Sequence, residues 1–209
     1  MIIAALVVSI VAAAGSLGAV WYARRSDLSA ARSAAAAETT AALDAQRRHT
    51  ELTPAFEIIC TAGENGVGDH GELRLTLTGP AGLGMLDEVI VVILDESGTD
   101  HWAHGLPGGL GEQDALRFVW GPWEFNTGAS AQVSDNRTTR PRSYSLADGQ
   151  NCDRLSLVRT RPGRWMNMSP KQWQQQREGP IRLQLTCQHG GEQWILLREV
   201  QPEPDRGRG

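Results

Sequence analysis

The chain has 209 residues and a formal charge of -4, with a pI near 5.7. That acidic balance excludes a generic nucleic-acid binder, which needs a basic face for phosphates. Three widely spaced cysteines, Cys60, Cys152 and Cys187, are too few for a disulfide framework. Their odd number leaves at least one thiol free, which fits a reducing compartment and leaves room for a single bridge in an oxidising one. Lys171 is the only lysine among 20 basic side chains; this arginine bias reads as GC-rich bacterial codon usage rather than as a recognition surface.

The first element is MIIAALVVSIVAAAGSLGAVWYA, residues 1–23, with no charged side chain. As a helix it rises ~1.5 Å per residue, roughly 34 Å in all, enough for a hydrocarbon core of about 30 Å. Trp21 and Tyr22 suit the headgroup level, and Arg24 and Arg25 suit the water beyond it. A cleaved signal peptide is the alternative, with small residues at Ala12–Ala14 and Ser16–Gly18. It lacks the basic region that precedes the apolar stretch of a leader, and apolar residues continue past both sites. The sequence predicts a transmembrane helix over 1–23. Arg24, Arg25, Arg32, Arg47 and Arg48 all follow it and no basic side chain precedes it. The positive-inside rule therefore puts the N-terminus outside and the large C-terminal part in the cytoplasm. Small residues four apart (Ala12 and Ser16, Ala14 and Gly18, Gly15 and Ala19) would let two such spans approach closely.

Residues 24–53 read as a helical spacer, alanine-rich and free of glycine and proline as far as Glu51. Leu28, Ala31, Ala35, Ala42 and Leu43 could share a face. The stripe is thin for a coiled coil because alanine buries little area and the heptads are irregular. A solvated helix ending at Leu52-Thr53-Pro54 is expected, since the residue before proline disfavours helix.

Residues 54–200 change period from helix to strand. Strands are predicted at 55–62, 72–78, 88–96, 115–121, 142–146, 154–160, 181–188 and 192–200. In 72–78 Leu73, Leu75 and Leu77 alternate with Arg74, Thr76 and Thr78, the pattern of a half-buried strand. The nearly continuous apolar run EVIVVILDE predicts a central strand. His189-Gly190-Gly191 predicts a hairpin turn between the last two strands. Between these strands, Ser169 as N-cap, Pro170 at the first position and Gly179 at the exit predict one short helix, with Trp173 closing an end of the domain. Residues 201–209, QPEPDRGRG, read as a disordered tail. The fold expected is all-β, an antiparallel immunoglobulin-like β-sandwich preceded by one transmembrane helix and an Ala-rich spacer. A β-barrel is the alternative.

The block RPGRWMNMSPKQWQQQREGPIRLQLTCQ (161–188), closed by EQWILLREV (192–200), resembles the C-terminal half of uncharacterised proteins of high-GC Gram-positive bacteria. Those proteins pair one N-terminal span with a β-domain. The resemblance implies a membrane-anchored β-domain and carries no catalytic residues with it.

No constellation for chemistry is complete. His101 and His104, with Asp100 adjacent, lack the further ligands that a structural zinc needs. Cys187 and His189 stand close in sequence, but a thiol nucleophile needs a base paired with it in space. Gly128–Gln132 misses the nucleophile elbow at its last position, and the glycines of GENGVG lead into a strand, with no helix N-terminus for a phosphate. Asp95, Ser97, Thr99 and Asp100 echo a calcium loop without its glycine or terminal glutamate. Asn136-Arg137-Thr138 is a sequon without meaning in a bacterial cytoplasm. Trp120 and Trp123, beside Gly121-Pro122, read as core plugs, with ligand stacking as the alternative. No catalytic, cofactor-binding or metal residue is expected. The partners expected are the lipid bilayer, through residues 1–23, and a protein partner or a second copy, with no nucleic acid. The expectation is a non-catalytic binding or scaffolding domain tethered to the membrane and facing the cytoplasm. The alternatives are an envelope-facing domain, in which Cys60 and Cys187 could pair, and an enzyme with a dispersed site.

Overall fold

The computed structural model describes residues 2–63, 70–96, 118–128, 131–146, 152–163, 166, 168–177 and 179–204, without the side chains of 2–24, 27, 28 and 152. The chain divides into two compact units, Met1–Glu51 and Leu52–Gly209.

The first unit is one helix, α1 (Ile2–Glu51). Nothing in residues 24–51 interrupts it, since the stretch is alanine-rich and lacks glycine and proline. From Ser29 to Glu51 every side chain is exposed except the half-buried His49, and Leu43 is 61% exposed. Thr39 and Thr40 donate to the carbonyls of Ala35 and Ala36, one turn back. Arg48 and His49 in the last turn complement the negative end of the helix dipole. These are the properties of a solvated helix. Among the described residues no helix is long and apolar enough to cross a membrane. The side chains of the apolar run 1–23, Trp21 and Tyr22 included, and that of Arg24 are not described, whereas Arg25 is described and exposed.

The second unit is mostly β, built as two sheets. The strands are β1 (Ala55–Ala62), β2 (His70–Gly79), β3 (Met85–Leu94), β4 (Trp123–Phe125), β5 (Arg142–Ser145), β6 (Cys152–Arg159), β7 (Ile181–His189), β8 (Glu192–Val200) and β9 (Pro202–Pro204). A short helix, α2 (Pro170–Gln176), precedes β7. The five-stranded sheet runs β4-β6-β2-β1-β9 and the four-stranded sheet β5-β3-β7-β8. Among the described strands each sheet has two edges with no further strand beyond them, the arrangement of a two-sheet sandwich.

Alternation makes the core. Leu73, Leu75 and Leu77 of β2 are fully buried, as are Leu155 and Leu157 of β6. From the other sheet, Val89, Val91 and Ile93 of β3 and Leu183, Leu185 and Cys187 of β7 join the same apolar cluster. Burying a side chain of this size stabilises by about 1.5–3 kcal/mol relative to exposure, so these two inner faces hold the sheets together.

Two expectations need correction. Residues 118–121 are not a strand, and 115–117 lie outside the described residues. Trp120 instead spends its main chain on residues 95–96: its N–H donates to Asp95 Oδ1 and its carbonyl accepts from Glu96 N–H. Gly121-Pro122 then re-aims the chain into the short β4. The tail is the second: Pro202–Pro204 form β9, paired in parallel with Cys60–Ala62 of β1. Local composition predicts disorder there, but the edge of β1 supplies a main-chain partner; residues 205–209 lie outside the described residues. β3 is central, as expected, with one face fully buried. Ile90, Val92 and Leu94 stay half-buried on the outside of the sheet.

Candidate docking face

The two-residue turn Gly190-Gly191 joins β7 to β8. Both glycines have positive φ, 56° and 86°, the left-handed conformation that this tight hairpin needs and that glycine adopts without strain. Asp87 Oδ2 accepts from the Gly190 N–H at 2.8 Å, tying the turn to β3.

The register across the four-stranded sheet sets its outer face. Ile90, Thr186 and Ile195 form one row, and Val92, Gln184 and Leu197 the next. Leu94, Arg182 and Glu199 form the third. Ile195 and Leu197 are 61% and 60% exposed on β8. The third row opens into a cavity of ≈ 260 Å³ shared with Arg198. Arg182 is held there by the Asp95 carbonyl at 2.8 Å and by Glu199 at 3.5 Å. The face therefore combines exposed branched aliphatics with fixed charges at one end.

The four sheet edges differ sharply. β4 and β9 have 3 residues each, and β9 has proline at both ends. β5 has 4. β8 has 9 residues with no proline, paired to β7 without a register shift along its whole length. Short strands and prolines blunt an edge against pairing with another chain, and β8 lacks both devices.

The opposite reading, chemistry in a pocket, finds its candidates dispersed. Trp120, Trp123 and Trp173 are at most 1% exposed. Trp120 and Trp173 meet at 6.0 Å between ring centroids, and Phe118 packs edge-on against both. Trp173 Nε1 donates to Thr160 Oγ1 at 2.9 Å. Arg177 lies 4.9 Å from the Trp173 ring and bonds Glu96. This is a plug closing the core, as expected for Trp173, and its ring faces are not available for stacking. Trp102 and Trp165 lie outside the described residues.

Cys60 and Cys187 are free thiols buried in opposite sheets. Neither β1 nor β7 is an outer strand. Burial pushes both thiols up to about 12, so they are neutral and poor nucleophiles. His189 sits beside Asp87 at 3.7 Å, at the hairpin. Asp95, read from sequence as a faint calcium ligand, instead carries an ion pair with Arg137 at 2.5 Å. Asn136 of the sequon donates to Glu124 Oε2 at 2.9 Å. Burial raises the Glu124 carboxyl above its ordinary range, but it stands on β4, in the five-stranded sheet, while the cavity lies on the four-stranded one. His101, His104, Asp100, Ser97, Thr99, Ser130 and most of GENGVG (64–68) lie outside the described residues. Among the described residues no group of three or more His, Cys, Asp or Glu could hold a metal ion.

The β8 edge escaped sequence reasoning, although Ile195 and Leu197 were legible as the outward members of an alternating strand. The missing information was which strand lies at an edge. Compared with known proteins, this chain matches no family model, no curated protein and no solved structure.

Proposed function

We propose that this chain is a membrane-tethered, non-catalytic binding or scaffolding protein whose β-domain faces the cytoplasm. The observation that carries the binding reading is the exposure of Ile195 and Leu197 on the one long, regular sheet edge among the described strands. Exposing branched aliphatics along a long edge without proline favours pairing with another chain. The tether is supported by the uncharged run 1–23, by the continuous helical backbone from Ile2, and by Trp21, Tyr22, Arg24 and Arg25 at its end. The basic residues that follow the span support the cytoplasmic orientation, as does the pair of free thiols. The bacterial proteins that the 161–200 block resembles combine the same two parts.

Within this reading the sandwich is immunoglobulin-like. The order β4-β6-β2-β1 parallels strands D-E-B-A of that fold, and β5-β3-β7-β8 parallels C′-C-F-G. Two departures are plain. β4 precedes β5 in the chain, the reverse of the usual succession. The strand corresponding to B, β2, carries no cysteine, so the familiar inter-sheet bridge has no counterpart.

Proximity labelling in cells tests the binding reading. Neighbours labelled by the wild-type chain should be lost with Ile195→Lys/Leu197→Lys at equal abundance; an unchanged set would overturn it. Protease treatment of spheroplasts tests the orientation, since cleavage of the C-terminal tail before lysis would place the domain outside.

A further inference from the structure

We propose that the occupant of the β8 edge is β8 of a second copy of this chain, paired antiparallel about a two-fold axis at Leu196. This rests on the reading of β8 as a docking edge and names its partner. Because Gly190-Gly191 is a two-residue turn, His189 and Glu192 form a hydrogen-bonded pair. Such pairs alternate along an antiparallel ladder, so Glu192, Trp194, Leu196, Arg198 and Val200 bond to β7. Gln193, Ile195, Leu197 and Glu199 therefore turn their main-chain N–H and C=O groups toward the open edge. Their side chains are exposed as well, as is that of Arg198, whose Nη1 donates to the Leu197 carbonyl at 2.9 Å, a bond that strand pairing would replace.

A two-fold pairing must keep outer side chains beside outer side chains, so the register can move only in steps of two residues. Centred on Leu196, it sets Ile195 against Leu197 twice and the Gln193 amide against the Glu199 carboxylate twice. On the other face it sets Arg198 across from Trp194 and Glu192 across from Val200, so no like charges oppose each other. Centring on Ile195 faces Gln193 with Leu197, and centring on Leu197 faces Glu199 with Ile195. On the outer face the Leu196 register alone matches apolar with apolar and donor with acceptor, whereas the Ile195 register would set Glu192 across from Arg198 on the other face. The Leu196 register overlaps all 9 residues of β8 and joins two four-stranded sheets into one continuous sheet. A strand whose outer face is its own complement in one register is suited to an isologous contact.

The full-length protein in detergent micelles tests this. A Gln193→Cys/Glu199→Cys variant should form disulfide-linked dimers on mild oxidation, because facing Cα atoms in such a pair lie about 5.5 Å apart, within bridging range. Gln193→Cys alone should not, because its own copy would lie six residues away. In sedimentation equilibrium, Ile195→Lys/Leu197→Lys should raise the dimer dissociation constant at least about ten-fold, while leaving the urea midpoint unchanged at protein concentrations where both forms are monomeric. No cross-link in the double variant, equal cross-linking in the single variant, or association indifferent to the lysines would each overturn the self-pairing. If a monomeric chain still loses its labelled neighbours with Ile195→Lys/Leu197→Lys, only the self-pairing falls. If those neighbours are unchanged as well, the docking reading falls with it.

Discussion

Buried polar and ionisable groups behave according to what surrounds them, and two cases carry predictions. Cys60 and Cys187 are 1% and 0% exposed, and burial pushes each thiol from 9.0 up to about 12. In a Cys152→Ser background neither thiol should react with a thiol-exchange reagent at pH 8, and both should react in denaturant. A raised folded-state pKa means that the native state holds its proton longer than the unfolded chain does. Its stabilising contribution is complete below pH 9 and is lost as pH rises towards about 12. Cys60→Ala/Cys187→Ala should therefore flatten the alkaline limb of a stability profile measured by urea unfolding. The second case is Asp153, 8% exposed, which accepts from Tyr144 Oη at 3.2 Å and from Arg142 Nη1 at 3.1 Å. Tyr144 and Arg142 belong to β5 and Asp153 to β6, so this cluster ties the two sheets together. Hydrogen bonds to a charged group contribute about 1.5–3 kcal/mol. Tyr144→Phe should lower unfolding stability by about 1–2 kcal/mol in urea, keeping the ring's packing and removing only the donor.

Among the elements, α2 depends most on tertiary context. It has 7 residues, too few to persist alone, because helix nucleation is unfavourable and short helices are marginal in water. Its start is legible: Ser169 accepts from the Gln172 N–H, and Gln172 Oε1 accepts from the Ser169 N–H at 3.0 Å, a complete capping box. Its placement comes from Trp173, driven between Trp120 and Phe118 and bonded to Thr160. Ser169→Ala should cost about 1 kcal/mol by removal of the cap. Trp173→Ala should cost about 3–5 kcal/mol, because it opens a cavity in a closed aromatic cluster. If the two substitutions cost the same in chemical denaturation, the cap rather than the plug would be holding α2. The strands divide in the same way. β2 was legible because a single face of Leu73, Leu75 and Leu77 meets the core. The run 118–121 was misread because its apolar residues serve a plug, and periodicity does not distinguish a plug from a strand.

For the molecule as a whole, the edges matter as much as the core. β9 covers the end of β1, and ending the chain at Gln201 should speed amide exchange at Cys60–Ala62 while leaving β7, inside the other sheet, protected. Equal exchange in both forms would mean that β9 adds no protection. The amino acids alone were enough to establish the apolar opening and its charged border, the alanine-rich helix, the alternating strands, the hairpin glycines and the helix cap. Each is written in residues adjacent or a few positions apart, where backbone preference and side-chain period act locally. Strand order, the burial of the two thiols in opposite sheets, the recruitment of Pro202–Pro204 to β1 and the emergence of β8 as an open edge came from pairing across long separations. A strand's own residues state which face is apolar. They do not state how many neighbours it will have, since that depends on where the rest of the chain finds its hydrogen-bond partners.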